Sequence, residues 1–188
     1  MLLAGLYKPE QGHILYDETD IKQLHPDDLR KNVAIALQDP VLFSGSLKEN
    51  LLMGNPDATD EQLIEITNAT GAGSFIGVLP GGFEFPLSER GRELSQGMRQ
   101  SIAMARALLS EAPVLLLDEP TAALDSGSEQ QVVAALEERT KGKTVIFVTH
   151  RGALLQLADR IIVMDSGKVV ADGPRDELLK AMNKQSAE

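Results

Sequence analysis

The chain has 188 residues, of which 43% are hydrophobic and 4% aromatic with no Trp, and it carries a formal charge of −10. That length suits one domain, or one lobe and part of another, with a core built mostly of Leu, Val, Ile and Ala. The acidic balance argues against a surface for nucleic-acid phosphates, which needs clustered Lys and Arg; the absence of Cys excludes disulfides, thiol catalysis and Cys-based zinc sites.

Met1 to Leu6 reads as the tail of a buried helix stopped by Gly5, which implies that the domain begins upstream. No apolar stretch is long enough to span a bilayer, and none has the form of a signal peptide. Short strands are expected over 12–17 (GHILYD) and 32–37 (NVAIAL), the second with Gln38 at its end. A helix is expected over 60–67 with Asp60 as N-cap. The Gly-rich stretch 71–85 reads as a loop with one short helical turn, and 96–110 as an Ala-rich helix opening on Ser95. The aliphatic run Val114 to Leu117 predicts a strand buried on both faces. Ser126 is the expected cap of a helix running to about Arg139. A third buried strand is expected over 144–149 (TVIFVT), with His150 at its end, and a short helix over 154–158. Ser166-Gly167 between two apolar runs predicts a β-hairpin of 160–165 and 168–172, followed by a terminal helix over 176–183, with the last few residues of the chain fraying. Alternation of strand and helix implies an α/β fold with a parallel sheet under helical cover.

Chemistry concentrates at strand ends. Asp118 and Glu119 follow the strand at 114–117, where ligands of open α/β sheets bind. One acid can hold Mg²⁺ through water and its neighbour can activate water for attack on a phosphate. Gln38 and His150 end two other apolar strands. If those strands are parallel neighbours, the four side chains converge on one edge of the sheet, a set suited to phosphoryl transfer. Ser95, at the start of the helix in Leu94-Ser95-Gln96-Gly97-Met98-Arg99-Gln100, could either cap that helix or help attract an anion. His13 and His25 read as surface or turn residues.

Five elements occur in order: QDPVLF from Gln38, LSQGMRQ from Leu94, VLLLDEP ending at Pro120, AALD ending at Asp125, and VTHR containing His150. Together they resemble the ATP-binding-cassette (ABC) ATPases, and the resemblance covers essentially the whole chain. The stretch from Gln38 to Leu51 and the triplet Glu89-Arg90-Gly91 are similar to exporters. The tail Val170 to Pro174 resembles bacterial type I secretion exporters. The resemblance implies a P-loop NTPase-like parallel sheet formed by about 1–43 and 111–188, with a helical signature subdomain over about 44–110 and a C-terminal β-hairpin. It implies ATP and Mg²⁺ as ligands. Asp118 would hold Mg²⁺ through water, Glu119 would be the catalytic base, Gln38 would sense the γ-phosphate, the metal and the membrane domain, and His150 would contact the γ-phosphate. Asp125 would link the two sites of a dimer, and Ser95 and Gly97 would close over nucleotide held by a second nucleotide-binding domain in a head-to-tail pair. The further partners implied are an exporter's transmembrane domains, with no nucleic acid. The location implied is the cytoplasmic face of a bacterial inner membrane.

Two departures qualify this. Gln96 stands where the family signature has Gly, and Met98 where it has Gln; a Gly there lets backbone approach phosphate closely. No G-x-x-x-x-G-K-S/T loop occurs in the chain, so the phosphate cradle and its Lys are absent. The expectation is an N-terminally truncated ATPase domain with little activity by itself. The alternatives are a non-catalytic remnant or interaction module, and a soluble ABC ATPase outside transport. The absence of sustained heptads between Gln38 and Ser95 counts against chromosome and repair members of that last group.

Overall fold

The structure is a computed structural model that describes residues 1–185. It divides into two units, one from Met1 to Val148 and a smaller one from Thr149 onward.

The first unit opens on a turn in which the Gly5 N–H donates to Leu2 O at 3.0 Å and the Leu6 N–H to Met1 O at 3.2 Å. The buried helix tail expected here does not form. Met1, Leu2, Leu3 and Leu6 are exposed, and Gly5 takes a left-handed φ of 68°, a conformation that stops a helix. β1 (Leu15–Tyr16) and β2 (Thr19–Asp20) form an antiparallel hairpin. β1 is shorter than the strand expected over 12–17, and it ends at Tyr16 because Asp17 and Glu18 both take left-handed φ, 44° and 67°, and reverse the chain as a two-residue hairpin turn does. An unanticipated helix, α1 (Pro26–Asn32), starts at His25, whose ring accepts the Asp27 N–H. Pro26 at its first position and two acids in its first turn suit a helix start. β3 follows over Val33–Ala36.

The chain then enters a helical section. β4 (Gly45–Ser46) runs into α2 (Leu47–Leu52), which has a reciprocal Ser46–Glu49 capping box. α3 (Asp60–Ala69) is capped by Thr59 and Gln62 in the same way; Asp60, expected as the cap, lies already inside the helix. The Gly-rich stretch holds two short helical turns where one is expected, α4 (Gly73–Ile76) and a 3-10 turn over Gly82–Glu84. β5 (Pro86–Leu87) pairs antiparallel with β4. α5 (Gln96–Leu109) begins where Ser95 Oγ accepts the Met98 N–H at 3.2 Å. α2 and α3 pack on α5, and Leu47, Leu51, Leu63, Ile66, Ile102 and Met104 are fully buried. Each such side chain contributes roughly 1.5–3 kcal/mol relative to exposure, so this cluster anchors α5.

β6 (Val114–Asp118), α6 (Ser126–Arg139) and β7 (Thr144–Val148) complete the unit. Asp125, not Ser126, caps α6: its carboxylate accepts the Gly127 and Ser128 N–H groups at 2.9 and 3.0 Å, while Ser126 is the first helical residue. The sheet order is β3-β6-β7, all parallel. Central β6 is buried on both faces through Leu115, Leu116 and Leu117, as its unbroken aliphatic run predicts. β7 is not the buried strand expected. Ile146 is 42% and Val148 59% exposed, alternating with half-buried Val145 and Phe147, so one face of this edge strand is open to solvent.

The second unit contains α7 (Gly152–Leu155), β8 (Arg160–Asp165), β9 (Lys168–Pro174) and α8 (Arg175–Gln185). The expected hairpin forms, turning at Ser166 and Gly167, both with positive φ. Arg160 binds Asp172 across it through two 2.6 Å contacts. α7 starts two residues earlier than expected, directly after the extended Arg151. The fraying expected at the extreme end lies outside the described residues. The α/β fold with a parallel sheet, helices and a C-terminal hairpin is the one the sequence implies.

Candidate functional site

Parallel pairing places the carboxyl ends of β3 and β6 side by side, with Ala36 opposite Leu117. Gln38 lies two residues past the end of β3 and is exposed, while Asp118 ends β6 and is half-buried. Glu119 follows at once with a left-handed φ of 46°. Such a conformation in a residue with a Cβ persists only where its surroundings fix it. The fixing groups are local. The Glu119 N–H donates to Val148 O at 2.9 Å, prolonging the β6–β7 ladder past the strand end. Its carbonyl accepts the Ala122 N–H at 3.1 Å and the Gln100 side-chain amide at 2.7 Å. The Glu119 side chain is half-buried, with Oε2 shielded from solvent.

α5 meets this loop at its N-terminal end. A Cβ on Gly97 would lie 2.8 Å from Ala123 O, so the absence of a side chain lets the first turn of α5 touch the loop backbone. Gln100, one turn later, donates to the Glu119 carbonyl and accepts the Ala123 N–H at 2.9 Å. Ser95 is occupied as the cap of α5, and Gln96 beside it is exposed. Asp125 is occupied as the cap of α6 and also accepts the Ser128 hydroxyl at 2.8 Å. The Ser128 backbone N–H, then the Ser128 hydroxyl, hold its carboxyl below the usual carboxylate range. Thr121 is buried in the same loop and donates to Glu129 at 2.9 Å.

The segment after Gln38 is also fixed. Buried Asn50 accepts the Phe43 N–H at 2.8 Å and donates to Phe43 O at 2.9 Å and Ser46 O at 3.0 Å. Arg106, its guanidinium pKa lowered by burial, donates to Val41 O through two 3.3 Å contacts. Phe43 itself remains half exposed. The Arg90 N–H donates to Leu42 O, with Arg90 and Gly91 both at left-handed φ. Thus Gln38, Asp118 and Glu119 share one rim of the first unit, and Ser95, Gly97 and Asp125 belong to the elements that hold the Glu119 loop. His150 is exposed and belongs to the second unit. Gln100 was not singled out from sequence. The only available signal was its inclusion in LSQGMRQ, since a buried amide's partners have no one-dimensional signature.

A parallel sheet whose central strand ends in Asp118 with Glu119 next, and a helix start packed against the loop that Glu119 opens, is an arrangement of the kind that nucleotide-binding α/β proteins use. The sequence profile described as ABC transporter matches residues 1–122, and the chain belongs to this family of nucleotide-binding ATPases. P-glycoprotein 14 of Caenorhabditis elegans is 40% identical over 95% of the chain, which spans 14% of that relative. A putative export ATP-binding/permease protein of Rickettsia bellii is 41% identical over 95% of the chain, which spans 31% of it. A solved bacterial Atm1-family ABC exporter with ATP bound has a TM-score of 0.88 and 32% identity, covering 100% of the chain and 34% of its own.

Among the described residues no group of three or more His, Cys, Asp or Glu gathers to hold a metal. Mg²⁺ does not require one, because it keeps several waters and takes one or two carboxylates plus substrate phosphates. Half-buried Asp118 with Gln38 on the same rim fits that coordination. The sequence of residues 1–188 contains no G-x-x-x-x-G-K-S/T loop to cradle the phosphates.

Proposed function

We propose that this chain forms part of an ATP-binding, ATP-hydrolysing domain that powers an ABC exporter through ATP-driven head-to-tail pairing with a second such domain. The carrying observation is the shared rim of Gln38, Asp118 and Glu119 at the carboxyl ends of adjacent parallel strands. Asp118, through water, and Gln38 would hold Mg²⁺, which when bound neutralises charge on the phosphate oxygens. Glu119 accepts a proton from the attacking water. His150 contacts the γ-phosphate, Asp125 links the paired sites, and Ser95 and Gly97 approach nucleotide on the partner domain. By the same resemblance, about 1–43 with the residues from 111 on would belong to the sheet core, and about 44–110 to the helical signature subdomain. The exposed Phe43 segment faces the transmembrane domains, which place the chain at the cytoplasmic face of a bacterial inner membrane. The tail Val170 to Pro174 favours the type I secretion class.

The missing phosphate loop, with Gln96 and Met98 in the signature, supports a second reading as a non-catalytic remnant. One assay separates the two. Residues 1–188 alone should hydrolyse almost no ATP. Supplying an upstream G-x-x-x-x-G-K-S/T segment should create turnover, and Glu119→Gln in that polypeptide should lower it by about a hundredfold or more, the scale of a lost general base, while ATP-driven pairing persists. Failure of the supplied segment to create turnover favours the remnant. Turnover that survives Glu119→Gln at the parent rate removes Glu119 as the base.

A further inference from the structure

We propose that Gln100 is a positioning residue that sets the direction in which Glu119 presents its carboxylate, and so ties that carboxylate to the helix carrying Ser95 and Gly97. Glu119 holds a left-handed backbone with φ of 46°, unusual for a residue with a Cβ and dependent on its surroundings. The Gln100 side chain is 1% exposed, so its amide has no ready alternative in water. It spans the loop from inside: Nε2 donates to the Glu119 carbonyl at 2.7 Å and Oε1 accepts the Ala123 N–H at 2.9 Å. One group thereby fixes both ends of the turn from Glu119 to Ala123.

The chemistry selects glutamine. The position needs a donor and an acceptor on one planar head at this reach, which the amide supplies. Met fills a similar volume with neither strong donor nor strong acceptor. An ionised Glu keeps the acceptor but sets oxygen against the Glu119 carbonyl; a protonated Glu restores the donor. Gly97, packed against Ala123 O one turn earlier on α5, makes the helix and loop a single joint.

The inference rests on Glu119 being the base, but its geometry is testable without nucleotide. NMR on residues 1–188 should show a scalar coupling across the hydrogen bond from Gln100 Nε2 to the Glu119 carbonyl carbon. In Gln100→Met, Ala123 amide exchange should accelerate about tenfold or more while α3 amides stay near wild type, the size expected for a lost buried hydrogen bond, and the Glu119 backbone shifts should move. In Gln100→Glu those shifts should return toward wild type as pH falls and the introduced carboxyl takes up its proton, whereas Gln100→Met should show no such return. Wild-type Glu119 shifts and Ala123 protection in Gln100→Met would mean that Gln100 only fills space, and would overturn the proposal. If Gln100→Met does not fold, absence of the wild-type coupling overturns it. A Glu119→Gln protein that still hydrolysed ATP would remove the base assignment and leave this hydrogen-bond result standing.

Discussion

Gly97 illustrates what a single position can and cannot reveal. Its place in a signature stretch implies closeness to a partner's phosphate, yet within this chain its missing Cβ leaves room for Ala123 O. Gly97→Ala should therefore destabilise the folded chain by itself, by about 1–3 kcal/mol, the usual cost of forcing atoms into a packed contact. Urea unfolding without nucleotide measures this; an unchanged midpoint would show that the loop gives way freely. Asp118 and Glu119 were legible because an unbroken aliphatic run must end in a buried sheet and the next residues must sit at its rim. Gln100 was not, because its partners lie 19 and 23 residues away in sequence and nothing in a helix pattern marks a buried amide. Asp60 and Ser126 were misplaced as caps by one residue, each preceded by another competent cap, Thr59 and Asp125.

At the scale of elements, the strongest periodic signals held. α5, β6, α6 and the β8–β9 hairpin lie within a residue or two of their expected bounds. α1 and α2 went unread although both carry start signals, His25-Pro26-Asp27 and the Ser46–Glu49 box, because each is too short to build a recognisable apolar period. The cap of α6 carries a pH dependence. Asp125 holds its proton less tightly in the fold than in the unfolded chain. Its contribution to stability is present above the unfolded value of about 3.9 and is lost as pH falls through the lower folded value. Asp125→Asn keeps a side-chain acceptor at the cap and cannot titrate. Its thermal midpoint should fall less than that of wild type between about pH 5 and about pH 2; parallel curves would assign the acid sensitivity to other carboxylates.

Over the whole molecule, the fold class was readable because alternating strands and helices admit few arrangements. The exposure of β7 was not, since an aliphatic strand looks the same whether or not a neighbour covers it. Ile146 and Val148 on β7, with Met1, Leu2, Leu6 and Tyr7, leave large apolar side chains in water. Surfaces of that kind attract apolar probes and other chains, and an uncovered strand edge offers further pairing. Residues 1–188 alone should bind the dye ANS, and Ile146→Lys with Val148→Lys should reduce the signal; fluorescence indifferent to both substitutions would place the sticky surface elsewhere. α5 joins the molecule differently, reaching Ala123 at Gly97, Glu119 at Gln100 and Val41 at Arg106. Inserting one residue between Gly97 and Arg106 would rotate one end of the rod by about 100° relative to the other. The three attachments could not then be made together, so this stretch should tolerate changes of letter far better than any change in its count.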